Sequence, residues 1–306
     1  MVTTDGIKLR SARPEDLVEL REAAVGALCH DGDAAEVVDL LWNGPSTRPE
    51  LRLTAEVQGR AVGVALGSLS EASGVVRGHV NLLAVAPGHQ GRGYGRELLR
   101  TLEERLGACG AQQLVVRGST PAYAWPGVDF RYTAAVCLLE AEGYQRTDEA
   151  VNMKVDLATA QLDTAEDEQR LAGQGLTVRR LLPEDEPGFS AWMLGWGGTW
   201  QQEAALALTH DPVGCHIAVR GEGDRAEYAG FACHGVNRRT WFGPMGTEES
   251  LRGQGVGAVL LRRCLADQRA AGLTHAEIGW TGPLRFYARA VGASLDRAFW
   301  LYRKDC

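Results

Sequence analysis

The sequence predicts an α/β protein made of two similar domains. Glycine-rich strings occur twice, as Gln-Gly-Arg-Gly-Tyr-Gly at residues 90–95 and as Arg-Gly-Gln-Gly-Val-Gly at residues 252–257, which is 162 positions later. Each string follows a strand-like apolar run and precedes a run of helical periodicity. The tripeptide Pro-Glu-Asp also occurs twice, at residues 14–16 and 183–185, each time after a strand-like segment. Because the order of elements recurs, we predict a duplicated domain.

The first copy reads as strand, helix start, strand, glycine turn, helix, strand. Alternating apolar residues at 7–10 predict the first strand, and the acidic tripeptide after it predicts a helix start. The apolar run before residue 90 predicts the strand that enters the glycine turn. The following helix has one apolar face, made of Leu98, Leu99, Leu102 and Leu106. Residues 107–110 end this helix, and residues 113–117 predict the next strand.

The second copy repeats this order. Residues 176–179 predict its first strand, and residues 275–279 predict the strand after the glycine turn and its helix. The apolar face of that helix is made of Leu260, Leu261, Cys264 and Leu265, and the helix ends at residues 270–272. Residues rich in Ala, Gln, Asp and Glu separate the copies. We therefore predict an N-terminal domain at residues 1–160, a linker at 161–175 and a C-terminal domain at 176–306.

The bulk composition excludes several classes of protein. A chain of 306 residues that is 45% hydrophobic and 23% charged is typical of a globular protein of about two domains. Its apolar runs are too short to span a membrane, and its first residues lack a signal-peptide pattern, so we expect a cytoplasmic protein without a membrane partner. The net charge of −7 argues against nonspecific binding of nucleic acid.

The cysteines give no sign of a disulfide framework or of a zinc site. The chain has seven, an odd number, and they are scattered without a Cys-x-x-Cys pair. The dipeptides Cys215-His216 and Cys233-His234 invite a metal interpretation. Neighbouring residues on a strand point to opposite faces, however, so one dipeptide cannot easily chelate one ion. We predict no metal.

Each glycine string has the composition of a phosphate-binding turn. A helix N-terminus offers unpaired N–H groups and the positive end of the helix dipole, and glycine lets the backbone approach a ligand closely. The Walker pattern is absent because neither string ends in Gly-Lys-Ser/Thr. The Rossmann pattern would need glycine where Arg96 and Ala258 stand. The strings therefore predict a pyrophosphate-binding site that is of neither the Walker nor the Rossmann type.

Residues 80–95, Val-Asn-Leu-Leu-Ala-Val-Ala-Pro-Gly-His-Gln-Gly-Arg-Gly-Tyr-Gly, resemble the acetyl-CoA signature of the GNAT N-acetyltransferase superfamily. Residues 243–257 resemble it as a second copy, in which Thr247-x-Glu249 replaces Val85-x-Pro87. The resemblance covers nearly the whole chain. It implies two tandem GNAT-like domains, each with a mixed, mostly antiparallel sheet flanked by helices, and acetyl-CoA as co-substrate.

The resemblance also implies which residues contact acetyl-CoA. The pantetheine arm pairs with the strand before the turn, which places it near Leu83 and Val85 in the first copy and near Met245 and Thr247 in the second. The backbone of the two glycine turns faces the pyrophosphate. The residues concerned are Gln90, Gly91, Arg92, Gly93, Tyr94 and Gly95 in the first copy, and Arg252, Gly253, Gln254, Gly255, Val256 and Gly257 in the second.

The resemblance places catalysis in the C-terminal copy. Family members often use a tyrosine near the last helix as the acid that protonates the leaving thiolate, and Tyr287 stands there, one residue further from its glycine than usual. Leu139 stands at that place in the first copy and cannot donate a proton. Glu277, on the strand beside the cleft, is our candidate base. Glu248, Glu249 and His234 remain alternatives, as does deprotonation through water.

The sequence says least about the acceptor, the molecule that would receive the acetyl group. Trp192, Trp196 and Trp200 share a four-residue spacing, and aromatic faces stack on sugars and attract cations. The C-terminal residues resemble bacterial tandem GNAT proteins, a group that includes glucosamine/glucosaminide N-acetyltransferases, and mycothiol synthases share the tandem architecture. We expect direct acetylation of a small primary amine, with an amino sugar as first choice. Mycothiol-type, aminoglycoside, polyamine and protein-lysine acceptors stay open, and so does an acetyl-CoA-binding sensor or scaffold without turnover.

Overall fold

The chain folds into two compact α/β units. The computed structural model describes residues 6–221 and 227–306. Unit 1 contains Met1–Ala150 together with Ala298–Cys306, and unit 2 contains Val151–Arg297. Among the described residues no helix combines the length and apolarity needed to cross a bilayer.

Unit 1 has a sheet whose main path contains six strands, with the short β6 pairing beside β13, and helices on both faces. Its strand order is β1-β2-β3-β4-β5-β13, antiparallel except for the parallel pair β4–β5. The elements in chain order are β1 (Ile7–Ser11), α1 (Leu17–Ala27), α2 (Ala34–Trp42), β2 (Arg52–Val57), β3 (Arg60–Ala72), β4 (Val75–Val85), α3 (Tyr94–Ala108), β5 (Gln113–Val116), the short β6 (Val128–Asp129), α4 (Thr133–Ala141), the start of β7 (Gln145–Asp156) and the end of β13 (Ser294–Asp305).

Unit 2 repeats this sheet. Its strand order is β8-β9-β10-β11-β12-β7, antiparallel except for the parallel pair β11–β12. The elements are the end of β7, α5 (Ala165–Ala172), β8 (Leu176–Arg180), α6 (Glu186–Met193), α7 (Gly198–Leu208), β9 (Cys215–Arg220), β10 (Glu227–His234), β11 (Trp241–Thr247), α8 (Val256–Ala270), β12 (His275–Ile278), α9 (Leu284–Val291) and the start of β13. The predicted class, a mixed and mostly antiparallel sheet flanked by helices, is confirmed.

Matching local contacts build the two units. Each Pro-Glu-Asp tripeptide forms a short 3-10 turn ahead of a helix. Asp16 accepts hydrogen bonds from the Arg10 guanidinium, and Asp185 accepts them from Arg179. The predicted apolar faces of α3 and α8 are completely buried against their sheets. The duplicated sequence pattern thus produces duplicated structure down to single ion pairs.

The unit boundaries differ from the predicted 1–160 and 176–306. The strand β7 ends the first sequence copy, yet its residues from Val151 pair with β12 in unit 2. The strand β13 ends the second copy, yet its residues from Ala298 pair with β5 in unit 1. Each sheet thus takes its sixth strand from the other copy. The predicted linker 161–175 contains α5, whose Leu171 is buried in the core of unit 2, so this segment is part of unit 2.

Candidate active site

Each unit has a gap where two parallel strands part. In unit 1 the pairing of β4 with β5 ends at His79 and Val115, while β4 continues to Val85. In unit 2 the pairing of β11 with β12 ends at Phe242 and Ile278, and β11 runs on to its glycine turn. A shift of register against the neighbouring strand accompanies each gap. The backbone edge beyond the gap can therefore pair with an extended ligand.

The first glycine turn joins this gap to helix α3. Gly91 and Gly93 have φ values of 72° and 85°, which side-chain-bearing residues rarely adopt, and Gly93 is the N-cap of α3. The first turn of α3 points N–H groups out of the helix without intrahelical acceptors. The side chain of Gln90 donates from Nε2 to the Val85 carbonyl at 2.8 Å and ties the turn to the end of β4. A Cβ added at Gly91 would meet nothing within 4 Å, so the turn has room for a ligand.

The second glycine turn has the same backbone. Gly253 and Gly255 have φ values of 78° and 91°, and Gly255 is the N-cap of α8. Space above Gly253 is open, as it is above Gly91. Gln254 donates from Nε2 to the Ser250 carbonyl at 3.1 Å, whereas Gln90 reaches the end of its strand. Arg252 is exposed at the start of the turn.

An arginine from the predicted linker lies against the second turn. The Arg170 guanidinium donates from Nη1 to the Gln254 carbonyl at 2.9 Å, and its Nη2 lies 2.6 Å from where a Cβ on Gly255 would stand. Asp167 accepts from Arg170 Nη2 at 2.8 Å and from Arg262 at 2.8 Å, so the guanidinium is held at both ends. Sequence reasoning missed this residue, because nothing in its local sequence connects it to a turn more than eighty residues later.

The residues predicted to contact pantetheine lie on β4 and β11 beyond the last parallel pairs. A Cβ at Gly257 would approach Met245 and Thr247 at 3.3 and 3.4 Å, so these side chains lie against the turn. A Cβ at Gly95 would lie 3.8 Å from Val85. The side chain of Leu83 is half-buried at the edge of the unit 1 core.

Contacts at the last glycine of each turn relate the two copies of the final helix. Gly95 faces Leu138 of α4 at 3.6 Å, and Gly257 faces Phe286 of α9 at 3.6 Å. The next residue along each helix is therefore in the corresponding place, which pairs Leu139 with Tyr287. Both are buried.

Tyr287 lies in an apolar wall of unit 2. Its ring is 4.9 Å from the Phe286 ring and 6.2 Å from the Phe242 ring, centroid to centroid. Burial in this wall raises the pKa of Tyr287 to about 12. The hydroxyl therefore keeps its proton at neutral pH, as an acid or a hydrogen-bond donor must.

Glu277 lies on the other face of the same sheet. Ala276 and Ile278 share a core cluster with Tyr287, and the alternation of a strand turns Glu277 away from that cluster. The carboxylate is buried, and its Oε1 accepts a hydrogen bond from Asn152 Nδ2 at 2.5 Å. The structure therefore places the candidate acid and the candidate base on opposite faces of the sheet beside the gap.

The three alternative bases lie in different surroundings. Glu248 accepts a hydrogen bond from Trp192 Nε1 at 3.1 Å. The side chain of Glu249 is 90% exposed. His234 lies 3.2 Å from Asp267, which also accepts from His216 and Arg180 at 2.7 Å. This cluster packs on the α8 side of the sheet, so His234 does not share the face of Glu277.

The Cys-His dipeptides alternate across the sheet as expected. Cys215 and Cys233 are buried in one core cluster, while His216 and His234 converge on Asp267. Within residues 6–221 and 227–306, no set of three or more His, Cys, Asp or Glu side chains has the geometry of a metal site.

Three tryptophans form an aromatic cluster on the Glu277 face. Trp196 stacks with Trp200 at 6.0 Å and meets Trp192 edge-on at 5.4 Å, although the stretch breaks between helices at Gly197. All three rings pack around Phe231. A Cβ at Gly246 of β11 would collide with the Trp196 ring, which therefore lies directly on the gap strand.

Comparisons with known proteins agree with the parted parallel strands and the glycine turn found in each unit. Residues 17–124 match the profile of the Acetyltransferase (GNAT) family. The uncharacterized N-acetyltransferase YjhQ of Escherichia coli (strain K12) is 34% identical over 118 residues, which are 37% of this chain and 65% of that protein. The alignment thus spans just under two thirds of this relative.

Solved structures resemble the whole chain. A GCN5-related N-acetyltransferase from Sphaerobacter thermophilus has a TM-score of 0.69 at 20% identity over 98% of this chain and 96% of its own. A tandem GNAT protein from the clavulanic acid biosynthesis pathway has a TM-score of 0.65 at 16% identity, with 98% of both chains covered.

A third solved structure is a GCN5-related glucosamine N-acetyltransferase region in a fungal multi-domain GH3 beta-N-acetylglucosaminidase. It has a TM-score of 0.76 at 18% identity over 97% of this chain, which corresponds to 38% of that longer protein. Residues 17–124 thus match the profile of the GNAT family, and the whole chain shares the fold of these solved structures.

Proposed function

We propose that the protein is an acetyl-CoA-dependent N-acetyltransferase of a small primary amine, with its catalytic centre in unit 2. The observation that carries this proposal is the coincidence, within one unit, of a strand gap, a glycine turn and a buried tyrosine with its proton retained. Unit 1 has the gap and the turn, but Leu139 replaces the tyrosine. The family match at residues 17–124 supports the fold of unit 1 and leaves this division of labour as our proposal.

The second glycine turn fits a pyrophosphate. Open space above Gly253, the outward N–H groups of the first turn of α8 and the Arg170 guanidinium provide room, hydrogen-bond donors and positive charge. The free edge of β11 from Met245 to Thr247 fits an extended arm that makes strand-like hydrogen bonds. When bound, acetyl-CoA supplies an acetyl group on a thioester.

Direct transfer assigns a task to each candidate residue. The amine nitrogen attacks the thioester carbonyl, a C–N bond forms, and the C–S bond breaks. The Tyr287 hydroxyl donates a hydrogen bond to the departing sulfur and supplies the proton that makes it a thiol. The proton lost from the amine goes to Glu277, directly or through water. Among the cysteines, Cys233 and Cys264 are buried with raised pKa values, so neither is an activated nucleophile for an acetyl-enzyme.

An amino sugar is the acceptor we propose first. The cluster of Trp192, Trp196 and Trp200 supplies aromatic faces on the side of the sheet where Glu277 lies. Such faces stack on sugar rings and attract ammonium groups. One structural neighbour, a glucosamine N-acetyltransferase region, points the same way.

The test is thiol release from acetyl-CoA with a panel of amines. The panel comprises glucosamine, an aminoglycoside, a polyamine, a lysine peptide and a mycothiol-type amino sugar. We expect release above background hydrolysis, with the highest kcat/KM for an amino sugar. Release only with a polyamine or a peptide would show that the acceptor is not an amino sugar. The proposed acetyl-transfer reaction would be unaffected.

A sensor without turnover is the second candidate. It is favoured by Leu139, which leaves unit 1 with a binding gap and no acid. No thiol release with any amine, together with stoichiometric binding of acetyl-CoA, would support it against the enzyme.

A further inference from the structure

Asn152 is a fully buried side chain that joins two parts of the unit 2 site. It lies on β7 and has no exposed surface. Its Nδ2 donates to Glu277 Oε1 at 2.5 Å, and its Oδ1 accepts the Trp280 N–H at 2.8 Å. The orientation of the amide is fixed, because a flip would set Oδ1 against a carboxylate and Nδ2 against an N–H group.

Trp280 occupies a strained turn between β12 and α9. Its φ of 48° is uncommon for a residue with a side chain, and such strain persists only where the surroundings enforce it. Here β7 enforces it, since the Asn152 amide binds the Trp280 N–H and the Val151 carbonyl accepts the Thr281 N–H at 2.8 Å. The indole is 43% exposed. An exposed tryptophan in an enforced backbone geometry is a candidate for a binding residue.

The turn that holds Trp280 leads directly into the helix of Tyr287. Pro283 is the N-cap of α9, and Tyr287 follows in the helix. Asn152 therefore fixes the carboxylate of Glu277 and the start of the segment that carries the candidate acid. A single residue of β7 thus connects the strand that carries Glu277 with the turn that precedes α9.

We propose that Asn152 is a positioning residue for acceptor recognition, holding Glu277 and the Trp280 turn so that a carboxylate and an indole face receive a primary ammonium group. This inference rests on the proposed function. An ammonium group is the ligand that both partners favour, because the carboxylate pairs with its charge and the indole face attracts a cation. The same carboxylate then accepts the proton that the amine must lose.

A swap of amide and carboxylate tests the inference. Asn152→Asp sets two carboxylates against each other, which raises the pKa of one of them. We expect the acid limb of kcat/KM for the amine to move upward by about one pH unit or more, and the melting temperature to fall.

The double variant Asn152→Asp with Glu277→Gln restores one hydrogen bond between an amide and a carboxylate, with the charge now on β7. We expect its melting temperature to recover while kcat/KM for the amine stays at least about tenfold below native. A residue with a purely structural role would let activity recover together with stability. The double variant therefore separates positioning from folding.

Trp280→Ala supplies the second readout. Because the variant keeps the backbone N–H that Asn152 binds, we expect the KM of the amine to rise about tenfold and the KM of acetyl-CoA to stay unchanged. Trp300→Ala, in unit 1, is the matched control and should leave both KM values as they are.

The outcomes separate this inference from the proposed function. If native protein acetylates an amine and Asn152→Asp keeps the native pH profile, or the double variant regains full activity, the inference is overturned and the function stands. If native protein acetylates no amine, both are overturned.

Discussion

Tyr287 and Leu139 hold corresponding places in the two units and differ by the hydroxyl that we propose as the catalytic acid. Tyr287→Phe removes only the hydroxyl from the wall of Phe242 and Phe286, so packing is preserved. We expect kcat to fall at least about 100-fold, the usual contribution of a general acid, with acetyl-CoA affinity unchanged. Thiol release at saturating substrates and calorimetric binding measure the two quantities.

Tyr302→Phe is the control for that prediction. Tyr302 is also buried, but it belongs to unit 1 and donates to Glu140 at 3.1 Å. Its loss of a hydroxyl should leave turnover at the native level. Native turnover by Tyr287→Phe would contradict the assignment of the acid.

We expect the stability of unit 1 to be sensitive to acid because of the buried His79. Burial lowers the pKa of His79 to about 4, and the neutral ring is held between the Ser70 hydroxyl at 2.7 Å and the Arg117 carbonyl at 3.3 Å. The unfolded chain takes up a proton near pH 6.5 and the folded chain does not. The free energy of unfolding is therefore unaffected by His79 above pH 6.5. It falls as the pH drops toward 4, by about 3 kcal/mol in total, because only the unfolded chain takes up the proton in that range.

Urea unfolding of unit 1 at pH 7 and pH 4 measures this loss. The variant His79→Gln has no titratable side chain at position 79. Its free energy of unfolding should therefore decrease less between the two pH values. Parallel curves for the native protein and the variant would rule out His79 as the origin of the acid sensitivity.

At the scale of elements, the predicted linker contains α5, which carries Arg170 against the proposed cofactor site of unit 2. Arg170→Ala removes a guanidinium that is held over Gly255 by Asp167 and the Gln254 carbonyl. A charge-assisted hydrogen bond to phosphate contributes about 1.5–3 kcal/mol, so we expect CoA to bind unit 2 at least about tenfold more weakly. Isothermal titration of the full chain measures the affinity.

Arg269→Ala is the matched control, since Arg269 is an exposed arginine of α8 whose guanidinium donates to the Ala160 carbonyl at 3.5 Å. It should bind CoA like the native protein. Equal affinities for Arg170→Ala and the native chain would show that the guanidinium does not contact the ligand.

Elements with strong local signals could be predicted from the sequence, and those that depend on distant partners could not. The glycine turns carry their own conformational demand, and the leucine faces of α3 and α8 follow helical periodicity. Helix α5 is mostly polar, with Leu171 as its buried residue, so composition alone indicated a linker. Asn152 acts through Glu277, 125 positions away in the sequence, and a lone asparagine in a strand carries no local sign of that bond.

At the scale of the whole molecule, unit 1 depends on residues from the far end of the chain. Tyr302 of β13 is buried among the leucines of α3 in unit 1. We expect Tyr302→Ala to cost unit 1 about 3–5 kcal/mol. Hydrogen exchange should quicken in peptides from Tyr94–Ala108 and stay unchanged in peptides from Val256–Ala270.

Leu295→Ala, at the exposed start of the same strand, is the control and should alter neither region. Equal destabilisation of both helices by Tyr302→Ala would contradict the division into two units.

The exchange of sixth strands explains why the repeat positions alone do not give the unit boundaries. Repeat positions show where one copy ends, but they cannot show with which sheet its last strand pairs. The pairs of Tyr302 with Val116 and of Ala276 with Val155 are long-range choices between similar edges. Local propensity is the same for either partner.

The shared strands also determine the order in which the two units can be completed during translation. Translation at about 5–20 residues per second takes about seven to thirty seconds to pass from Ala150 to Ala298. Throughout that interval the edge of Gln113–Val116 lacks its β13 partner, so the nascent N-terminal half presents an open sheet edge. The order of synthesis therefore gives unit 2 its full set of strands first, and nascent unit 1 is the part of the chain for which a holding chaperone has most to protect.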